Sequence, residues 1–345
     1  MKKAIKSMND AVPRHPKAWL KIWLIVLAIR GVNVEAQEPS ALRMVQTIPL
    51  PNVEGRIDHM AVDVKGQRLF IAALGNNSIE VLDLRGGKHL KSITGFSEPQ
   101  GVGFISEFDK IFIANGAGGV CDILNGSSFE RINRVNFSDD ADNIRYDAAT
   151  HRVYVGYGSG GIGIMDATTG DRLGDIKLDG HPESFQLEKS GPRIFVNVPT
   201  MRKVVVVDRD KRSTIASWPS AGTTANFPMA IDETHHRLFV GFRKPARLII
   251  FDTQSGKIAA NLASPRDADD IFYDSARRRI YVSGGEGFLS TFQQIDRDRY
   301  KAMTKIATAP GARTSLLVPE LNRLYLAVPH RGAQRAEVRV YEAEP

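Results

Sequence analysis

One short motif recurs seven times in this chain: a basic residue followed by apolar, aromatic and apolar residues. It reads Arg68-Leu69-Phe70-Ile71, Lys110-Ile111-Phe112-Ile113, Arg152-Val153-Tyr154-Val155 and Arg193-Ile194-Phe195-Val196 in the first four copies. The last three are Arg237-Leu238-Phe239-Val240, Arg279-Ile280-Tyr281-Val282 and Arg323-Leu324-Tyr325-Leu326. Their aromatics stand 42, 42, 41, 44, 42 and 44 residues apart. From residue 43 on there is no long helical period. Short β-branched and aromatic runs alternate instead with Gly, Asn and Asp turns. A constant period in the low forties with four short strands per unit predicts an all-β, seven-bladed β-propeller of four-stranded antiparallel blades.

Each unit has the same internal order. A first strand runs into an acidic turn residue (Asp63, Asp147, Glu188, Asp232 or Asp274), five positions before the basic residue. These acid–base columns read as turn-forming pairs on the surface, each worth roughly 0–1 kcal/mol. His151 and His236, directly before the Arg, read as exposed turn residues. A Gly-rich hairpin, a third strand such as Val204–Val207 and a weaker outer strand follow. The last unit ends after its third strand, Val338–Tyr341, whereas Arg43–Ile48 precedes the first unit with no partner there. A ring in which this N-terminal strand completes the final blade satisfies both ends.

Composition gives two further constraints. The chain carries 46 Lys/Arg against 39 Asp/Glu, a net charge of +7 with a pI near 9.4. Residues 1–36 hold seven of those bases and two of the acids, which leaves 39 against 37, a net of +2. The argument for a nucleic-acid partner therefore largely disappears. The same segment has a basic stretch, the apolar run Ile22–Ile29 and then Val34-Glu35-Ala36, the layout of an export signal. Eight apolar residues span about 12 Å as a helix against a bilayer core of about 30 Å, so no membrane-spanning helix is expected. The organisation expected is a signal peptide over 1–36, a linker over 37–42 and the propeller over 43–345. The location expected is periplasmic or secreted. A lone cysteine, Cys121, excludes an internal disulfide and reads as a small core residue.

Several stretches resemble the YncE-like branch of the YVTN-repeat β-propellers, exported bacterial proteins. They are Gly55-Arg56-Ile57-Asp58-His59-Met60-Ala61-Val62-Asp63, Asp140-Ala141-Asp142-Asn143, His181-Pro182-Glu183-Ser184-Phe185 and Asn226-Phe227-Pro228-Met229. The turns Asp166-Ala167-Thr168-Thr169-Gly170 and Asp252-Thr253-Gln254-Ser255-Gly256-Lys257 match that repeat's usual exit from its third strand. The resemblance covers residues 43–345 and implies the fold and an exported protein. It implies no single activity, because propellers host many chemistries.

The repeat itself separates scaffold from site. Twelve residues before each blade aromatic, at the mouth of the innermost strand, stand Asp58, Gln100, Asp142, Glu183, Phe227, Asp269 and Arg313. A scaffold column should be uniform or apolar, whereas this one is polar in six blades and differs between them. His59, Asn143, Asp270 and Thr314 follow it by one residue, and Glu98 and His181 precede it by two. In a propeller these positions converge on one end of the central channel as a polar funnel. The carboxylates of Asp58, Asp142, Glu183 and Asp269 would repel one another without a cation, a proton or Arg313. An oxygen-rich set of this kind suits Ca²⁺ or Mg²⁺ better than Zn²⁺. The competing reading is that these residues only satisfy backbone N–H groups of the loops.

The function expected is a monomeric binding propeller that holds a small polar ligand, a cation or a protein partner at the channel mouth. The alternative is a metal-assisted hydrolase of the lactonase type, with Glu183, His59 or His181 as general base. Quinone-cofactor chemistry lacks its vicinal cysteines here, and single-stranded DNA binding lacks the charge. The string Gly158-Ser159-Gly160-Gly161-Ile162-Gly163 matches a dinucleotide fingerprint, but it falls in a hairpin with no helix after it and reads as a turn. Trp218 closes an outer strand and is expected to pack between blades.

Overall fold

The computed structural model describes residues 40–158 and 160–345. The expected signal peptide, linker residues 37–39 and Ser159 lie outside the described residues. Seven antiparallel sheets follow one another along the chain. Blade 1 is typical, with strands Met60–Asp63, Arg68–Ala73, Ser78–Asp83 and Lys88–Thr94 paired in sequence order. The other inner strands are Pro99–Ile105, Ala141–Asp147, Phe185–Leu187, Thr224–Asp232, Ala268–Asp274 and Ser315–Val318. Each inner strand touches the next around the ring, and Ser315–Val318 returns to Met60–Asp63. In blade 6 the outer strand is split into Tyr300–Ala302 and Ile306–Ala307.

Ring closure follows the expected route. The N-terminal strand Leu42–Pro49 pairs antiparallel with Glu337–Ala343, the third strand of blade 7, with Ile48 opposite Val338. One sheet thus holds both ends of the described chain together, and no edge is left between first and last blades.

The core is a set of seven layers, each between two consecutive blades. All seven motif aromatics lie in these layers and none is more than 3% exposed. Phe195, for example, packs with Val204 and Val206 of its own blade against Val240 and Ile249 of the next. Burying such a ring is the largest apolar contribution a single residue makes to the ring. The basic residue of the motif has a related role. Arg68 donates to the Gly126 carbonyl, Arg193 to that of Thr253 and Arg279 to that of Glu344, each in a turn or chain end of the following blade. Cys121 is fully buried in the layer between blades 2 and 3. Trp218 packs tilted against Phe195 and stacks on Phe251, and so bridges blades 4 and 5.

The acidic turn column departs from expectation. Asp63, Asp147, Glu188, Asp232 and Asp274 are all buried. Only Asp63 and Glu188 pair with the basic residue of their own motif, Arg68 and Arg193. The carboxylates of Asp63, Asp147, Asp232 and Asp274 accept from turn N–H groups, those of Gly66, Ala149, His235 and Ala276, and side chains such as Arg209 and Gln294 cover Asp147 and Asp232. A short acidic side chain at this corner satisfies the turn's own donors first, which draws it under the surface. His151 and His236 are exposed turn residues with φ of 52° and 56°. Gly158 and Gly160 lie between strands Arg152–Tyr157 and Gly161–Asp166, with a strand and no helix following.

Candidate functional site

A local irregularity of the strands builds the site. In blades 2, 3, 5 and 6 the pairing of inner and second strands slips at the column residue, between Pro99 and Gly101, Ala141 and Ile144, Asn226 and Met229, and Ala268 and Asp270. A bulge of this kind re-aims a side chain out of the alternating pattern. Two residues earlier the backbone is left-handed in five blades, with φ of 52° at Glu98, 29° at Asp140, 60° at Ala225, 52° at Asp267 and 80° at Gly311. Blade 7 uses Gly there and two blades use Asp, residue types that tolerate this conformation. In these five blades the left-handed residue stands close to the start of the inner strand.

Six members of the seven-residue column, all but Asp58, line one cavity of about 150 Å³. These are Gln100, Asp142, Glu183, Phe227, Asp269 and Arg313, joined by His59, Asn143 and His181. Asp58 is 2% exposed and stands behind the wall, ion-paired to Arg56 at 2.5 Å. Asp270 faces the next section of the channel, where its Oδ2 accepts the Ser315 N–H at 2.8 Å. Thr314 donates to the Ile57 carbonyl, and Glu98 is exposed away from the cavity.

Four residues of the mouth escaped the column: Arg56, Asp140, Asp267 and Arg243. The first three sit two residues before it, the offset that singled out Glu98 and His181. Reading that offset in every blade gives Arg56, Glu98, Asp140, His181, Ala225, Asp267 and Gly311, polar in five blades against six for the column and as varied. Arg243 comes from the second strand of blade 5, where no repeat-based count points to it.

The charges are matched unevenly. Asp269 lies between two guanidiniums: Arg313 Nε is 2.8 Å from its Oδ2, and Arg243 donates to its Oδ1. Arg313 also donates to Asp267 at 3.0 Å, and Arg243 stacks 3.8 Å above the centroid of Phe227. On the opposite side Gln100 donates to Asp140 at 2.6 Å, and His181 Nε2 stands 3.8 Å from both Asp140 and Glu183. Asp142 is 7% exposed, and its Oδ1 is a buried oxygen with no hydrogen-bond partner.

His59 joins three blades. Its Nε2 is 3.8 Å from Asp58 and from Asp142, and its Nδ1 is 3.6 Å from Asp270. Burial by itself would lower the imidazolium pKa, but the three carboxylates outweigh it and raise it to about 10. The acids move upward too. Burial raises Asp58 to about 7 against the pull of His59 and Arg56. Burial, helped by Asp142 and Asp269, raises Glu183 to about 9. Asp142 and Asp270 also shift upward, chiefly through burial. At neutral pH the mouth thus holds a protonated His59 and a neutral Glu183 that can donate a hydrogen bond.

The four carboxylates expected to hold a divalent ion divide into two pairs. Asp58 is engaged by Arg56, and Asp269 by Arg243 and Arg313. Asp142 and Glu183 have oxygens that no arginine takes, so Ca²⁺ or Mg²⁺ would rest on those two with water completing the shell. Among the described residues no three His, Cys, Asp or Glu side chains converge closely enough to share an ion.

No protein-family model matches the chain, and no curated protein does. Solved structures do resemble it. A chain of the Kuenenia stuttgartiensis hydrazine synthase is 14% identical with a TM-score of 0.70, over 80% of this chain and 94% of that one. A chain of a mitotic checkpoint complex is 13% identical with a TM-score of 0.74, over 93% of this chain and 99% of that one. Likeness at this level of identity shows the architecture alone. What strand order, ring contacts and these neighbours establish together is a seven-bladed β-propeller.

Proposed function

We propose that the channel mouth binds a small polar ligand that presents positive charge, either an ammonium group or a divalent cation, and that the protein acts by binding it. One observation carries this reading: the Asp142 carboxylate is buried at the mouth with no hydrogen-bond donor on its Oδ1, the nearest cation being His59 Nε2 at 3.8 Å. A buried carboxylate oxygen costs free energy unless a donor or cation meets it. Its neighbours suit a positively charged guest, since Asp140 is partly exposed beside it and the nearby arginines are already matched by Asp58, Asp267 and Asp269. The YncE-like stretches and the layout of residues 1–36 support an exported, extracytoplasmic protein. No helix among the described residues is long and apolar enough to cross a membrane.

The test is isothermal titration of the protein with calcium chloride, magnesium chloride and ethanolamine, repeated on Asp142→Asn. The expected result is saturable binding of at least one probe, weakened roughly 10-fold or more in the variant, as for loss of a charge-assisted contact. Absence of binding by all three, or equal affinity in the variant, overturns the reading.

A further inference from the structure

A second cavity, of about 400 Å³, opens where the inner strands continue past the mouth. It meets the first at His59 and Ser184, which line both. Its walls are mixed: Met60, Val102, Ile231, Phe272 and Leu316, from five different blades, supply an apolar side, and polar groups make up the rest. Into this cavity projects Arg145, whose guanidinium bonds only neutral oxygens. Nη1 donates to the Ile144 carbonyl at 2.8 Å, and Nη2 donates to the Asn143 amide oxygen at 3.3 Å and to Ser184 Oγ at 3.2 Å. The group lies 5.5 Å from the ring centroid of Phe185 and forms no ion pair among the described residues. Lys189 also lines the cavity, exposed and likewise without an ion pair among the described residues.

The carboxylates of this cavity are already engaged. Glu233 accepts the Lys189 N–H at 2.8 Å and the N–H and hydroxyl of Ser190. Asp270 accepts the Ser315 N–H and faces His59. Arg145 and Lys189 therefore border the chamber without a direct ion pair, and the carboxylates of Asp142 and Asp270 act on Arg145, and that of Glu233 on Lys189, only at longer range.

We infer that this second cavity binds a small amphiphilic monocarboxylate, with its carboxylate on Arg145 at the inner end and its apolar body along the chamber walls. A guanidinium presents paired N–H donors in the geometry a carboxylate accepts. The apolar side of the lining, Met60, Val102, Ile231, Phe272 and Leu316, then favours a hydrocarbon chain or ring over water. Lys189, at the rim, adds attraction for an incoming anion.

Calorimetric titration with sodium octanoate and with 1-octanol, which has the same chain and no charge, tests the proposal. Octanoate is expected to bind roughly 10- to 100-fold more tightly than octanol, the range for a hydrogen bond to a charged group. Arg145→Met should remove that preference, and Lys189→Met should weaken octanoate several-fold. If Arg145→Met does not fold by circular dichroism, the wild-type comparison and Lys189→Met still decide. Equal affinity for octanoate and octanol in wild type, no binding of either, or full preference retained in a folded Arg145→Met overturns the proposal.

Discussion

Replacing Glu183 by Gln preserves the side chain's shape and removes its titration, which makes it the sharpest probe of the mouth. Burial and the nearby Asp142 and Asp269 raise this carboxyl from 4.5 to about 9. Between those two pH values the folded protein keeps a proton that the unfolded chain has released. Stability of the wild type must therefore fall as pH rises through that window, by up to about 1.4 kcal/mol per unit. The side chain is 19% exposed and its neighbours titrate with it. Taking half the full slope gives roughly 2 kcal/mol lost between pH 5 and pH 8. Glu183→Gln lacks this slope. Urea unfolding of both proteins at pH 5, 6.5 and 8 should show near-equal stability at the acid end. At pH 8 the variant should be ahead by about 2 kcal/mol, or some 4 °C in melting temperature. A stability difference that stays constant with pH, or one that favours wild type as pH rises, refutes the reasoning that burial holds this carboxyl neutral.

Other consequences are more local. Phe195→Ala empties a ring position between blades 4 and 5 and should cost about 3–5 kcal/mol, whereas Ile215→Ala on the exposed outer strand should cost under about 0.5 kcal/mol; matched denaturation curves would contradict the interblade core. Deleting residues 1–49 removes the strand that pairs with Glu337–Ala343 and exposes its edge. Size-exclusion chromatography should then show aggregates or oligomers, and a monomer as stable as the full chain would count against ring closure by this strand. If a divalent ion occupies the mouth, EDTA lowers the melting temperature of wild type and leaves Asp142→Ala/Glu183→Ala unmoved. An identical response in both proteins rejects the ion.

Much of the fold was legible because a propeller repeats its constraints. The aromatic of each motif has to fill an interblade layer, and the basic residue in several blades reaches the next blade, so both recur at the repeat period. Closure was legible for a different reason: Arg43–Ile48 and the missing last strand are complementary defects. The mouth was legible only as far as the repeat register extended. Asp58 belongs to the column by count, yet in blade 1 the inner strand begins at Met60 and the side chain turns behind Arg56 instead of into the cavity. Arg243 carries no register with the column, since it reaches the mouth from a second strand. The acidic corner residues show the opposite failure. Their position was visible, but a one-dimensional pattern does not reveal that turn N–H groups draw Asp147 and Asp274 under the surface.

The proposed site exists only if residues of different blades meet at one channel, and His59 reports on that directly. Blade 1 supplies the imidazole, blade 3 supplies Asp142 at 3.8 Å and blade 6 supplies Asp270 at 3.6 Å. The measurement is an NMR titration of the His59 ring in wild type, Asp142→Asn and Asp270→Asn. The predicted result is a ring that stays protonated well above neutral, near the expected value of about 10, with a lower pKa in each variant. A His59 that titrates near 6.5 and ignores both substitutions would contradict the shared site.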